Sequence, residues 1–413
     1  MTPSRPLRAT AMLAVALMLS SPSALLAQTD SAKTAPEGAT AADTTSVQGS
    51  VYNRPFITSA GQISIGGYVE GNTNYFAEDG VSDGFSMELR RFNIFLFSPV
   101  AARLRFFAEL EFEHGTEEIA LETAQLDFQL APSLSLRAGI ILPPIGGFNQ
   151  NHDSPRWEFI DRPLVSTQII PATLSEVGFG IFGRLSGSPR LGFTYDAYLT
   201  NGLGDGILLN EEGRTSLPSG KSEDQFAEDN NGSPAFSARV AAQRSGLGEF
   251  GVSYYGGTYN RFREEGVDVD ARRDVSLGAI DFSTGFGRLD IRGEMAHAWI
   301  DVPPSLTELM GRRQRGAHID LVLQVLKRPM LGLPRATLNA ALRLEYVDYN
   351  VGRFASTDRT IRDDVTAVVP GLSFRPAANT VFKANYRWQR SHDVLGNPPA
   401  RLGGYQIGFA TYF

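Results

Sequence analysis

Arginine is the residue through which this chain could act on charged solutes. Lysine occurs only at Lys33, Lys221, Lys327 and Lys383, and guanidinium groups make up the rest of the Lys+Arg total. In the segment Arg103–Glu113, Arg103, Arg105, Glu109, Glu111 and Glu113 share one parity with Phe107, while Leu104, Phe106, Ala108, Leu110 and Phe112 share the other. A strand turns successive side chains to opposite faces, so one face is charged and the other apolar. Long side chains of both signs on one face suit a wall facing water in a channel. The same reading puts Arg91, Arg137, Arg184, Arg239, Arg292, Arg343, Lys383 and Arg387 on that wall, with Glu70, Asp127, Asp196, Asp290, Glu294, Asp320 and Glu345. The signs nearly balance. Rings of one sign would confer ion selectivity; a balanced wall implies weak selectivity, and for most of these groups the plainer role is to solvate and brace the wall.

Other chemistries find little footing. The five histidines, His114, His152, His297, His318 and His392, lie in neither a nucleophile elbow nor an HExxH pattern. His152 near Ser154 is a proximity that chance supplies. The chain has no cysteine, which excludes disulfides, thiolate metal sites and cysteine nucleophiles. No metal or cofactor is expected. Residues 202–234 are acidic but carry no calcium-loop spacing, so a solvated acidic loop is the reading. The formal net charge of −7 argues against a nucleic-acid partner, which would need a basic face.

The charged face recurs along the chain. Leu338, Ala340, Leu342, Leu344 and Tyr346 alternate with Asn339, Arg343 and Glu345; Phe382, Ala384, Tyr386 and Trp388 alternate with Lys383, Asn385, Arg387 and Gln389. Trp299, Tyr346 and Trp388 sit toward strand ends, as an interfacial girdle requires. About sixteen strands are expected, starting near residues 61, 85, 103, 118, 134, 176, 190, 235, 249, 273, 287, 315, 336, 364, 379 and 402. Short connections such as 98–102, 131–133, 187–189 and 245–248 alternate with long ones such as 143–174, 202–234, 301–314 and 350–362. Short turns on one side and long loops on the other are the pattern of an outer-membrane barrel. The fold class is therefore all-β: a transmembrane antiparallel barrel over residues 61–413. A bulge is expected at Arg90-Arg91, and Pro370 falls inside a strand, where it removes a ladder donor.

Residues 1–27 read as a signal peptide, with Arg5 and Arg8 before the apolar run Ala9–Leu19 and cleavage near Ala27. Residues 28–60, rich in Ala, Thr, Ser and Asp, read as a flexible periplasmic extension. The strand Tyr405, Ile407, Phe409, Thr411, Phe413 resembles the terminal strand that outer-membrane barrels present to their assembly machinery. The implied location is the outer membrane of a Gram-negative cell, with lipid and lipopolysaccharide as surroundings.

Residues 84–183 resemble the phosphate-selective porin O and P family. The resemblance runs through Leu89-Arg-Arg-Phe-Asn-Ile94, Phe106–Glu113, Leu134–Gly146, Ser154–Arg162 and Glu176-Val-Gly-Phe-Gly180. It implies a sixteen-stranded barrel, a homotrimer and a third loop, 143–174, folded into the lumen. It makes Arg156 and Arg162 the first choices for the constriction. The family's phosphate-selective members use lysines at the constriction, and this chain has none between Lys33 and Lys221. The expected function is passive diffusion of small hydrophilic solutes or ions, phosphate among them. The alternatives are a non-conducting structural or adhesive barrel and a barrel hydrolase.

Overall fold

The computed structural model describes residues 46–413 except 53, 55–57, 61, 62, 189, 222–225, 227, 228, 230 and 307. The leader 1–27 and residues 28–45 of the extension lie outside the described residues.

Sixteen antiparallel strands pair in sequence order and close into a barrel. They are β1 (Ile63–Glu78), β2 (Phe85–Ala101), β3 (Leu104–Glu113), β4 (Glu118–Ala131), β5 (Leu134–Ile141), β6 (Glu176–Ser188), β7 (Leu191–Thr200) and β8 (Ala235–Arg244). The second half runs β9 (Gly248–Thr258), β10 (Asp274–Phe286), β11 (Leu289–Ile300), β12 (Arg313–Lys327), β13 (Thr337–Asp348), β14 (Asp364–Ala377), β15 (Thr380–Ser391) and β16 (Ala400–Tyr412). The expected strand starts fall within two residues of these bounds. Closure comes from β16 on β1, with Tyr405 opposite Tyr75 and Tyr412 opposite Tyr68. Two further bonds between Gly67 and Phe413 extend that ladder. A closed ladder leaves no edge unpaired, the condition for crossing a bilayer on strands.

The alternation sorts the two faces. Leu344, Leu372, Phe382 and Ile407 point outward and are exposed, whereas Arg343, Ser373, Lys383 and Gln406 on the other parity are buried inside. An apolar exterior of this extent would be unstable in water and suits a hydrocarbon surround. Trp299 and Trp388 lie outward near the ends of β11 and β15 that meet the long loops. The bulge expected at Arg90-Arg91 is present: Glu70 faces Arg91 while Gly71 faces Leu89, leaving Arg90 as the extra residue. Pro370 pairs with Leu342 on β13, but the ladder to β15 skips from Val368 to Gly371, because proline offers no N–H there.

The interior differs between its two ends. At the short-turn end, Tyr68, Phe95, Phe97, Phe107 and Tyr412 form a buried aromatic group with Val51. At the long-loop end, Val275, Leu277, Ala298, Ile300, Val347 and Val365 of the wall pack on Ile145, Val165, Ile169, Leu203, Ile207 and Leu217 of the loops. Part of the acidic stretch 202–234 is thus not a solvated loop. Leu203, Ile207 and Leu217 anchor it in the mouth, because β10, β11 and β13 carry apolar side chains inward there.

The extension also departs from expectation where it is described. Residues 46–51 and Arg54 are packed inside the barrel and Tyr52 is half-buried against it. The segment carries few apolar residues, so composition alone predicted no order. What orders it is hydrogen bonding to wall carboxylates and the ion pairs of Arg54 with Glu109 and Asp153.

Candidate functional site

The segment between β5 and β6 runs across the interior. Gly146 has φ +64°, and a Cβ there would lie 2.2 Å from Glu294 Oε2. Glycine therefore allows the backbone to dock on β11, where Gly147 N–H and Phe148 N–H donate to Glu294 at 2.7 and 3.0 Å. Ser166 Oγ donates to the other carboxylate oxygen at 2.6 Å. Asn149 ties the segment's ends together, donating to Pro143 O and accepting from Leu174 N–H. Further round, Leu164 N–H donates to Glu345 and Ile160 N–H to Asn385. Lys383 Nζ donates to the carbonyls of Ser154 and Phe159, both at 2.9 Å.

Wall arginines hold the acids of this segment. Glu158 pairs with Arg375 at 2.7 Å, and Asp161 pairs with Arg90 at 3.1 Å and Arg387 at 3.5 Å. Burial works against both ionised carboxyls. Arg375 overrides it at Glu158 and Arg90 at Asp161, so both are held below the usual carboxylate range. Asp153 lies deeper. Burial again opposes its charge, and Arg54 overrides it to hold the carboxyl well below its ordinary value.

The candidate selectivity residues are mostly paired. Arg91 contacts Glu70, Glu111 and Glu113 at 3.3, 3.5 and 2.6 Å. Arg137 makes a two-pronged pair with Asp127 at 2.8 and 2.9 Å and lies over the Phe182 ring. Arg343 does the same with Asp320, 2.7 Å on both prongs, and donates to Asp161 O. Arg387 meets Glu345 at 2.9 Å. Glu109 accepts from Asn93 and Arg54, and Glu111 from Asn93. Arg105 stacks on the Tyr52 ring, 4.7 Å from its centroid. Gly251 makes room for a further such pair: a Cβ there would lie 2.3 Å from Arg239 Nη2, which bonds Asp281 and Glu249.

Three candidates behave otherwise. Arg103 is not on the wall; it sits exposed in the turn after β2, where its carbonyl accepts Gln129 N–H, because the strand starts one residue later. Arg156 bonds Tyr412 Oη, Asn151 and the Ser50 carbonyl, tying the inner segment to the extension. Arg162 donates to Thr173 Oγ1 within its own loop.

The site also contains residues that alternation could not reveal. Arg54 comes from the extension, Arg90 is turned inward by the bulge, and Asp153, Glu158 and Asp161 act from a loop. A bulge signal was visible for Arg90, and the density of charge in 152–162 for the loop acids; Arg54 carried no local signal. Glu109, His152 and Asp153 each bring one ligand atom to within 4.8 Å of the others, a spacing a metal ion could use. The Arg54 guanidinium bridges the two carboxylates, at 2.7 and 2.6 Å. His152 is not set beside a nucleophile: its ring nitrogens face Asn149 O and Glu122 Oε2.

Water reaches only part of this interior. The side chains of Arg54, Glu109 and Asp127 are at most 1% exposed, while Glu88, Arg90, Glu113 and Asp161 keep 20–26%. The latter, three carboxylates around one guanidinium, form a half-wet strip between β2, β3 and the inner segment.

Comparison with known proteins supports the architecture. OmpT of Vibrio cholerae with loop L8 deleted superposes with a TM-score of 0.52 at 12% identity, covering 86% of this chain and all of that one. The outer membrane channel DcaP of Acinetobacter baumannii gives 0.52 at 11%, covering 87% and 99%. OmpF of Salmonella typhi gives 0.51 at 10%, covering 85% and 97%. The chain therefore has the sixteen-stranded outer-membrane barrel fold. An uncharacterized protein of Aquifex aeolicus is 33% identical over 187 residues, 43% of this chain, and the match spans 40% of that protein's length. No family model matches the chain.

Proposed function

We propose that this protein is a constricted outer-membrane porin for passive diffusion of small hydrophilic solutes and ions. The observation that carries the reading is a closed barrel whose interior retains a half-wet strip with charges of both signs, Arg90 among Glu88, Glu113 and Asp161. Polar walls with both signs let ions shed and regain water without deep binding. Arg137, Arg343 and Arg387 are each neutralised by a carboxylate, so the pore selects weakly, and phosphate passes as one small anion among others. This keeps the resemblance to phosphate-selective porins at the level of architecture. Leader 1–27 exports the chain, and the outward apolar band sits in outer-membrane lipid. One Vibrio cholerae OmpT form is described as a trimer, and we propose a homotrimer here as well.

Liposome swelling tests the function. Proteoliposomes of the folded full-length protein should swell slowly in small sugars and amino acids, with a rate that falls steeply as solute size rises. Absence of swelling from properly folded protein would favour the second reading, a non-conducting barrel. That reading draws on the complete burial of Arg54, Glu109 and Asp127 at the short-turn end.

A further inference from the structure

The segment that fills the short-turn end has an unusual set of attachments. Among the described residues of 46–54, none joins the barrel ladder, and the one regular element is the single turn Gln48–Val51. They are held by hydrogen bonds and ion pairs rather than by strand pairing. Val47 N–H donates to Glu249, Gln48 Nε2 to Asp196 at 2.8 Å, and Tyr52 Oη to Asp127. Arg54 grips Glu109 and Asp153 and lies 4.2 Å from the Phe95 ring centroid.

Each of these five carboxylates has a second partner outside the segment. Glu249 keeps Arg239 at 2.9 Å, and Asp196 keeps Tyr198 Oη at 2.9 Å. Asp127 keeps both prongs of Arg137. Glu109 keeps Asn93 at 2.8 Å, and Asp153 keeps Tyr412 Oη at 2.7 Å. The main cost of releasing a buried segment is the unpaired groups it leaves behind. Here each carboxylate keeps a partner with or without the segment. The buried apolar anchor is Val51, with Tyr52 against the edges of Phe97 and Phe107.

We propose that residues 46–52 together with Arg54 are a detachable autoinhibitory plug, with Arg54 as its latch, whose withdrawal opens the lumen at the short-turn end. This rests on the porin reading above. Withdrawal also removes the guanidinium bonded to Glu109, so the opened pore shifts toward cation preference.

The test uses the full-length chain refolded and checked for barrel formation by heat-modifiable gel mobility. Single channels of wild type, Arg54→Gln and, as a milder variant, Tyr52→Phe are recorded in planar bilayers under a potassium chloride gradient. In parallel, Val51→Cys introduces a unique thiol into a chain without cysteine, and that thiol is probed with a membrane-impermeant maleimide. The expected result is a several-fold rise in open probability or conductance for Arg54→Gln, a smaller rise for Tyr52→Phe, a reversal potential shifted toward cations, and faster labelling of the introduced thiol when Arg54→Gln is added. Equal conductance in all three proteins would overturn the plug and leave the porin reading standing. Silent channels with a readily labelled thiol would overturn the porin reading, and the autoinhibitory role with it. Silent channels with the thiol protected in every variant would overturn detachment itself.

Discussion

The two ends of the barrel interior are filled by opposite chemistry. At the short-turn end, an extension poor in apolar residues is held by ion pairs and hydrogen bonds over a few aromatic rings. At the long-loop end, Ile145, Val165, Ile169, Leu203 and Ile207 pack on inward-facing Val275, Leu277 and Val347 as in a soluble core. The difference bears on how each end can change. Apolar packing is dense and loses stability with every void, so that end is a fixed constriction. Paired polar groups can exchange partners, so the other end can be reversible.

The largest effect should come from breaking the ionic end. Arg137→Ala strands the buried Asp127 carboxylate, and loss of one partner of such a pair costs about 3–5 kcal/mol. Urea unfolding of the vesicle-embedded barrel should show it, and adding Asp127→Asn should recover much of the loss. Failure of that rescue would mean that Arg137 acts through packing on Phe182 rather than through charge.

At the apolar end, Ile169→Ala should destabilise by about 2–5 kcal/mol. No compensating charge change should restore it. It should also loosen loop 143–174 and raise conductance, readable as larger single-channel steps. A variant with wild-type steps would show that the apolar seat does not set the constriction.

Acid separates the ends further. Glu158 and Asp161 have folded values depressed below their ordinary ones, so their contribution is present above the unfolded value and is lost as pH falls through the folded value. The unfolded values lie at about 4. Loop anchoring should therefore be intact at pH 5 and weaken only below about pH 4. With Trp299 and Trp388 replaced by phenylalanine, Trp157 emission reports it: steady from pH 7 to 5, red-shifted below. A shift already at pH 6 would contradict this assignment.

The smallest stability effect belongs to the half-wet strip. Arg90→Ala should cost about 1 kcal/mol or less, since partly hydrated pairs contribute little and Arg387 still pairs Asp161. It should nevertheless move the reversal potential toward cations by removing a guanidinium from the water-reaching wall.

Much of this architecture was legible before folding. Period-two alternation located the sixteen strands, and the doubled Arg90-Arg91 announced the bulge, because a one-residue slip must invert the faces. Phe107, the single apolar residue on the charged parity of β3, was the trace of the aromatic seat, and alternation could not say what sits on it. Pairing was hidden for a simple reason. Arg343 and Asp320 lie on neighbouring strands, and only register brings them together. Arg103 shows the converse: a one-residue error at a strand start moved a wall residue into a turn. The packed extension was illegible because its order comes from partners such as Glu109 and Asp153, distant in the chain, rather than from its own composition.

The central claim is a constricted pore whose wall charges are largely neutralised in pairs. Its most direct test is the reversal potential of the refolded wild-type protein in planar bilayers under a tenfold potassium chloride gradient, with phosphate then titrated. The account predicts small, brief steps, a reversal potential near zero and no block by millimolar phosphate. A strongly anion-selective potential with phosphate block would contradict it, because that would require unpaired guanidinium groups lining the path.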